Sequence, residues 1–172
     1  PYLSTQLTPA RRAELQTRYW QRYYALSSYL YQNDTQHPHQ ARAIALRELP
    51  NLKHAFSLCL AVAKAPPLPL GEGESRSDGG EGNNADPAYT AIHFANTIAQ
   101  FLDVFGRWRE RDALLKEIGQ LEIGDAQGLT KAEFLRLDRQ GETLLQQGQA
   151  AAAERLFRDL LARLEAGAAY DA

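Results

Sequence analysis

A single glycine flanked on both sides by helical spacing constrains this chain more than any other feature. From Phe134 to Leu161 the sequence reads FLRLDRQGETLLQQGQAAAAERLFRDLL. Before Gly148, Leu137, Gly141 and Leu144 recur at spacings of three and four and mark one face of a helix. After it, Ala153, Phe157, Leu160 and Leu161 mark one face of a second. Gly148 falls in the tight turn where the chain must reverse. The small residues predict a close approach of the two backbones, with Ala153 facing Gly141 and the bulkier Leu144 and Phe157 filling the space around them. Upstream, Thr130 and Glu133 have the spacing of a capping box that starts the first of these helices.

The same grammar runs through the rest of the chain. Thr8-Pro9 is an N-cap followed by proline at the first helical position, and the spacing predicts a helix to about Gln32. Its apolar face carries Leu15, Tyr19, Tyr23, Leu26 and Leu30, widened by Trp20, Tyr24 and Tyr31. An aromatic stripe at helical spacing reads first as core. Tyr24 and Tyr31 are also candidates for an interaction surface, because tyrosine joins an apolar ring to a polar tip. Asn33 to His39 reads as a loop. His37 and His39 flank Pro38 there, but two histidines with no third ligand nearby in sequence do not make a metal site. A second helix is expected from Gln40 to Lys64, kinked or broken near Arg47 to Leu49 by Pro50.

Residues 65–85, APPLPLGEGESRSDGGEGNNA, have almost nothing to bury and read as a flexible insertion between the first and second hairpins. Asp86-Pro87 repeats the helix-start signal, and the next helix should reach Phe105 and end at Gly106. His93 and Asn96 fall among its apolar residues, and a lone histidine there reads as a packed side chain. A further helix follows from Arg107 to about Gln120. Its opening, RWRERD, offers Arg107, Arg109 and Arg111 as a candidate interaction patch, weighed against a solvated face of pairs three and four apart. The last helix should end near Ala166. Six helices in three hairpins result, with Gly106 and Gly148 as matching turn residues.

Composition narrows the classes. At 172 residues, 44% hydrophobic and 23% charged, the chain can build one domain, residues 1–172, with its own core. A net charge of −2, with basic residues spread along the chain and matched by acids, gives no footprint for nucleic acid or an anionic membrane. The one cysteine, Cys59, lies in the apolar run AFSLCLAVA and reads as a small core residue. A reducing cytoplasm is the expected setting, since no signal peptide or membrane-length apolar run is visible. The chain contains no methionine, as a segment of a longer protein or a processed Met-Pro start would leave it.

The hairpin around Gly148 resembles a tetratricopeptide repeat, a helix-turn-helix unit of about 34 residues. Leu137, Gly141, Leu144, Gly148, Ala153 and Phe157 fall on its pattern, while Gln140 and Leu160 depart from it. The resemblance implies an all-α fold of antiparallel hairpins stacked as a right-handed solenoid. Two further stretches, ELPNLKHAF and FLDVFGRWRERDALL, resemble helical repeat regions of signal-transduction NTPases of the NB-ARC or STAND type. Glu48, Asn51, Leu52, Ala55, Gly106, Trp108 and Glu110 match those motifs; Arg111 stands where a small residue is expected. In that family such repeats sense a ligand or partner and relay it to an NTPase module. No phosphate loop occurs in this chain, so an NTPase module would belong to a parent protein.

The chain is therefore expected to be a non-catalytic protein-interaction scaffold that binds a protein or peptide. No cofactor, metal or membrane partner is expected. The alternative is a nucleic-acid-binding or regulatory helical domain. An enzyme is not expected, because no GxSxG, HExxH or Cys-His arrangement is present.

Overall fold

The computed structural model describes residues 8–65, 86–121 and 129–165. Among them the chain forms six helices and no strand: α1 (Pro9–Asn33), α2 (Pro38–Lys64), α3 (Pro87–Val104), α4 (Trp108–Gly119), α5 (Lys131–Gln146) and α6 (Ala150–Glu165). The fold is all-α, as the sequence implies. The insertion assigned to 65–85 lies, from residue 66 on, outside the described residues. So do most of the loop between α4 and α5 and the tail that follows α6.

The helix starts follow from their caps. Thr8 accepts a hydrogen bond from the backbone N–H of Arg11 at 3.3 Å, and Asp86 accepts one from Ala88 at 2.9 Å. Thr130 accepts from the N–H of Glu133 at 3.1 Å, which is half of the expected capping box. The Glu133 carboxylate reaches instead across the hairpin to Arg163 of α6, at 2.9 Å.

Both glycine turns adopt one geometry. Gly106 has φ +67° and Gly148 has φ +74°. The N–H of Arg107 donates to the Leu102 carbonyl, and that of Gly106 to Asp103; Gln149 to Leu144 and Gly148 to Leu145 repeat the pattern. These are paired Schellman motifs, which satisfy carbonyls that a helix end leaves open. The α1–α2 turn has no glycine. Asp34, nearly buried there, accepts two bonds from the Arg42 guanidinium at 2.8 and 3.0 Å, a bidentate pair that fixes the corner.

Helix α2 runs unbroken through Pro50, so of the kink or break expected near Arg47 to Leu49, the break does not occur. Pro50 cannot donate to the carbonyl of Leu46, but both residues are on the exposed side of the helix. Water can take the missing donor's place at that carbonyl, so the helix tolerates the proline.

Each helix pairs with its hairpin partner, and α3 also packs against α1, α2 and α5. Ten α3 residues are buried, among them Ile92, Phe94, Ile98, Phe101 and Leu102. The principal core joins Ile92, Phe94, Ile98 and Leu102 to Leu49, Leu52, Phe56 and Cys59 of α2, Leu114 and Ile118 of α4, and Ala132 of α5. Leu30, Ala41, Ala45 and Phe101 form a smaller cluster toward the first turn.

In the third hairpin the close approach is real, but its partner differs from the one expected. Gly141 lies under the ring of Phe157: a methyl group at 141 would sit 2.3 Å from Cζ. Gly141 precedes the turn glycine by about two helical turns, and Phe157 follows it by a comparable distance, whereas Ala153 lies nearer the turn. Ala153 is fully buried all the same, and Ala152 is only half-buried.

Two stability tests follow from this register. Ala153→Leu should destabilise the domain by ~1–3 kcal/mol through overpacking, and Ala152→Leu by clearly less, in urea melts. Gly141→Ala should destabilise in the presence of Phe157, yet stabilise by up to ~1 kcal/mol in a Phe157→Ala background, where only the helix propensity gain remains. An unchanged effect of Gly141→Ala across the two backgrounds would show that the ring does not cover the glycine.

Candidate functional site

The residues proposed from sequence as an interaction surface are not gathered in one place. Tyr24 is half-buried and meets His93 and Phe94 edge-on, each ring at 5.6 Å, so it ties α1 to α3. Tyr31 is exposed. Arg107 donates to the carboxylate of Glu110, which also accepts from Lys53 of α2 at 2.7 Å. Those cations hold the Glu110 carboxyl below the usual range, Lys53 contributing most. Arg111, whose side chain is 14% exposed, bonds Asp103 of α3, Asp112, and Gln146 of α5. It is a strut between three helices, and this is why a large residue is accommodated where the motif has a small one. Only Arg109 of the three remains an exposed arginine outside these contacts.

The stretch ELPNLKHAF also has a structural role. Asn51 donates to Glu48 at 2.9 Å, Tyr23 donates its hydroxyl to the same carboxylate oxygen at 3.5 Å, and Tyr19 donates to Asn51 at 3.4 Å. Leu52 and Ala55, the apolar members, are fully buried. The motif therefore clasps α2 to the tyrosines of α1. Cys59 is buried and its thiol is pushed up to about 12 by desolvation, far from the thiolate that nucleophilic chemistry requires. Among the described residues no group of three or more His, Cys, Asp or Glu side chains could hold a metal ion, and no helix is long and apolar enough to cross a membrane.

A groove of about 440 Å³ runs along α1 and is closed on one side by Thr90 of α3. Its rings are Trp20, Tyr24 and Tyr29, and its polar lining is Gln21, Ser28 and Gln32, with Ala25 between them. No charged side chain lines it. Tyr29 is 59% exposed, whereas the indole N–H of Trp20 is buried without an acceptor among the described residues. On α3, His93 Nδ1, whose ring meets the groove's Tyr24, and Asn96 Oδ1 are likewise buried and unsatisfied among the described residues. Unmet polar atoms are rare in protein interiors, and each calls for an explanation, such as a bound water or ligand. Tyr24 is the one sequence candidate that lines the groove. Gln21, Ala25, Tyr29 and Gln32 were not singled out by sequence reasoning. The available signal was a stripe of uncharged residues at helical spacing on a helix otherwise exposing Arg and Glu.

No family model, curated protein or solved structure matches the chain.

Burial lowers the affinity of His93 for a proton. Below the ordinary histidine pKa of about 6.5 the unfolded chain takes up a proton that the folded chain resists, so stability should fall as pH drops through that value. The fall should stop once the pH is below the folded-state pKa. Comparing urea melts at pH 7 and pH 5, His93→Gln should lose less stability on acidification than the wild type. Equal losses would place the pH-sensitive group elsewhere.

Proposed function

We propose that the chain is a non-catalytic interaction module, a TPR-like stack of hairpins whose α1–α3 groove takes an uncharged, extended peptide segment of a partner protein. The observation that carries the reading is a packing asymmetry. The first helices of the hairpins touch in series, α1 to α3 and α3 to α5, while the second helices do not stack on one another in the same way. Long side chains such as Lys53 and Glu110 bridge α2 and α4 instead. A stack held closer on one side than the other curves toward the closer side, which favours an arc with the first helices on its inner face. The groove lies on those first helices.

The lining supports the class of ligand. Rings and primary amides without charge suit a peptide backbone, which Gln21 and Gln32 can bond while apolar side chains or prolines lie against Trp20 and Tyr29. A role as the sensor region of a cytoplasmic signalling NTPase is a narrower form of this proposal, favoured by the two sequence motifs alone.

Ala25 lies exposed in the groove, so Ala25→Arg should block it and leave the core intact. Selection from a displayed library of short peptides should yield a family of related sequences with the wild-type chain. Those peptides should bind Ala25→Arg at least tenfold more weakly and Arg109→Ala equally well. Peptides that bind Ala25→Arg as tightly as the wild type would rule out the groove. Binding to DNA or RNA that weakens steeply with salt would favour the nucleic-acid alternative.

A further inference from the structure

Helices α4 and α5 are consecutive in the chain, yet they do not pack closely against each other. Between them is a cleft of about 560 Å³, within the range of small-molecule sites. One wall is the α4 face with Asp112, Leu115, Lys116 and Gly119, and the other is the α5 face with Arg136, Arg139, Gln140 and Thr143. Each set recurs at spacings of three and four, so two whole helix faces are turned toward the opening.

Among the described residues, the charges lining the cleft do not balance. Asp112 is already bonded by Arg111, outside the lining. Arg139 pairs with Glu142 and, at 3.5 Å, with Asp103, but its Nε is buried with no acceptor among the described residues. Arg136 donates only to the backbone carbonyl of Leu121 among the described residues, and Lys116 is exposed with no carboxylate partner among them. The last turn of α4 explains a lysine in general terms, since cations favour helix C-termini. It does not explain an arginine on the opposite wall that has no carboxylate partner among the described residues. Among the described residues, Lys116 and Arg136 thus lie on either side of one opening without a carboxylate partner, with Leu115 and Ile118 as apolar lining.

We propose that the α4–α5 cleft binds a small organic anion, a molecule whose phosphate or carboxylate bridges Lys116 and Arg136 while its apolar body lies against Leu115 and Ile118. Guanidinium is suited to both oxyanions, because its planar fork matches their geometry. Gln140 and Thr143 supply neutral polar groups on the same wall. The proposal is independent of the α1–α3 groove, and either can fail alone.

The test is a titration of the full chain with phenyl phosphate and, separately, with benzoate, followed residue by residue in two-dimensional amide NMR spectra at constant ionic strength. Millimolar probe should shift the amides of residues 115–119 and 136–143, and phenol, which lacks the charge, should not. The arm that binds identifies the oxyanion as phosphate or carboxylate. Lys116→Glu, at an exposed position, and Arg136→Gln should each weaken binding at least tenfold, with spectra that stay dispersed. Arg22→Ala, on α1, should leave binding unchanged. The proposal is overturned if neither probe shifts these amides, if Lys116→Glu binds as the wild type does, or if the shifts follow arginines across the whole surface.

Discussion

Burial of α3 on nearly every side is the constraint from which the other contacts follow. From Pro87 to Leu102 this helix carries no charged residue apart from the ionisable His93, and its buried positions run around its circumference. Such a helix cannot be stable in water alone; it must be covered by neighbours. The α1–α2 hairpin covers one flank, α4 and α5 cover others, and the fully buried Phe94, Ile98 and Leu102 are shared by them. Burying each large side chain contributes ~1.5–3 kcal/mol before the entropy of ordering is subtracted. No exposed ion pair in the molecule approaches that value, since such pairs contribute roughly 0–1 kcal/mol. The hairpins are therefore held by a common apolar axis, and their charges adjust how they meet.

That adjustment is concentrated where the apolar surface of α3 runs out. Asp103 sits in the last turn of the helix, where an acid is disfavoured by the helix dipole. Arg111 of α4 and Arg139 of α5 both reach it, so one carboxylate links three helices. Each arginine side chain is under a fifth exposed, which makes these contacts less screened than the pairs on α1 or α6. Gly106 follows at once and turns α4 back along α3. Position 111 then faces position 103, and a long cationic side chain fits where a small one would leave Asp103 unpaired on that side.

What the sequence discloses is the part encoded locally. Caps at Thr8, Asp86 and Thr130 and the positive-φ glycines at 106 and 148 depend on one residue type at one place, and each lies where its chemistry requires. Glu133 was legible as a cap residue but not as the partner of Arg163, because that contact joins two helices. Pro50 misleads for the same reason: whether a missing donor matters depends on which side of α2 faces water. Gly141 signals a close approach, but the sequence does not say that a ring covers it. The α1–α3 groove and the α4–α5 cleft are set by distances between helices, and no local pattern carries those. Of the five surface candidates, Arg107 pairs with Glu110 three residues on, a contact the spacing already allowed, whereas the bond from Arg111 to Asp103 appears only once α3 and α4 are side by side.

The cleft has a local cause once the packing is known. Helix α4 is the shortest of the six, with 12 residues, and its buried apolar positions are Leu114 and Ile118. Both belong to the core around α3. Leu115 is only half-buried, and the next positions on that side are Lys116 and Gly119. A methyl group at Gly119 would meet nothing within 4 Å. The apolar stripe of α4 is thus wide enough for one neighbour and not for two. Helix α5 packs on α3, burying Ala132, and its Arg136–Thr143 side, partly buried, lines the cleft toward α4. Apolar residues at 116 and 119 would extend the stripe and draw α5 in. A charge and a glycine at those positions hold the cleft open.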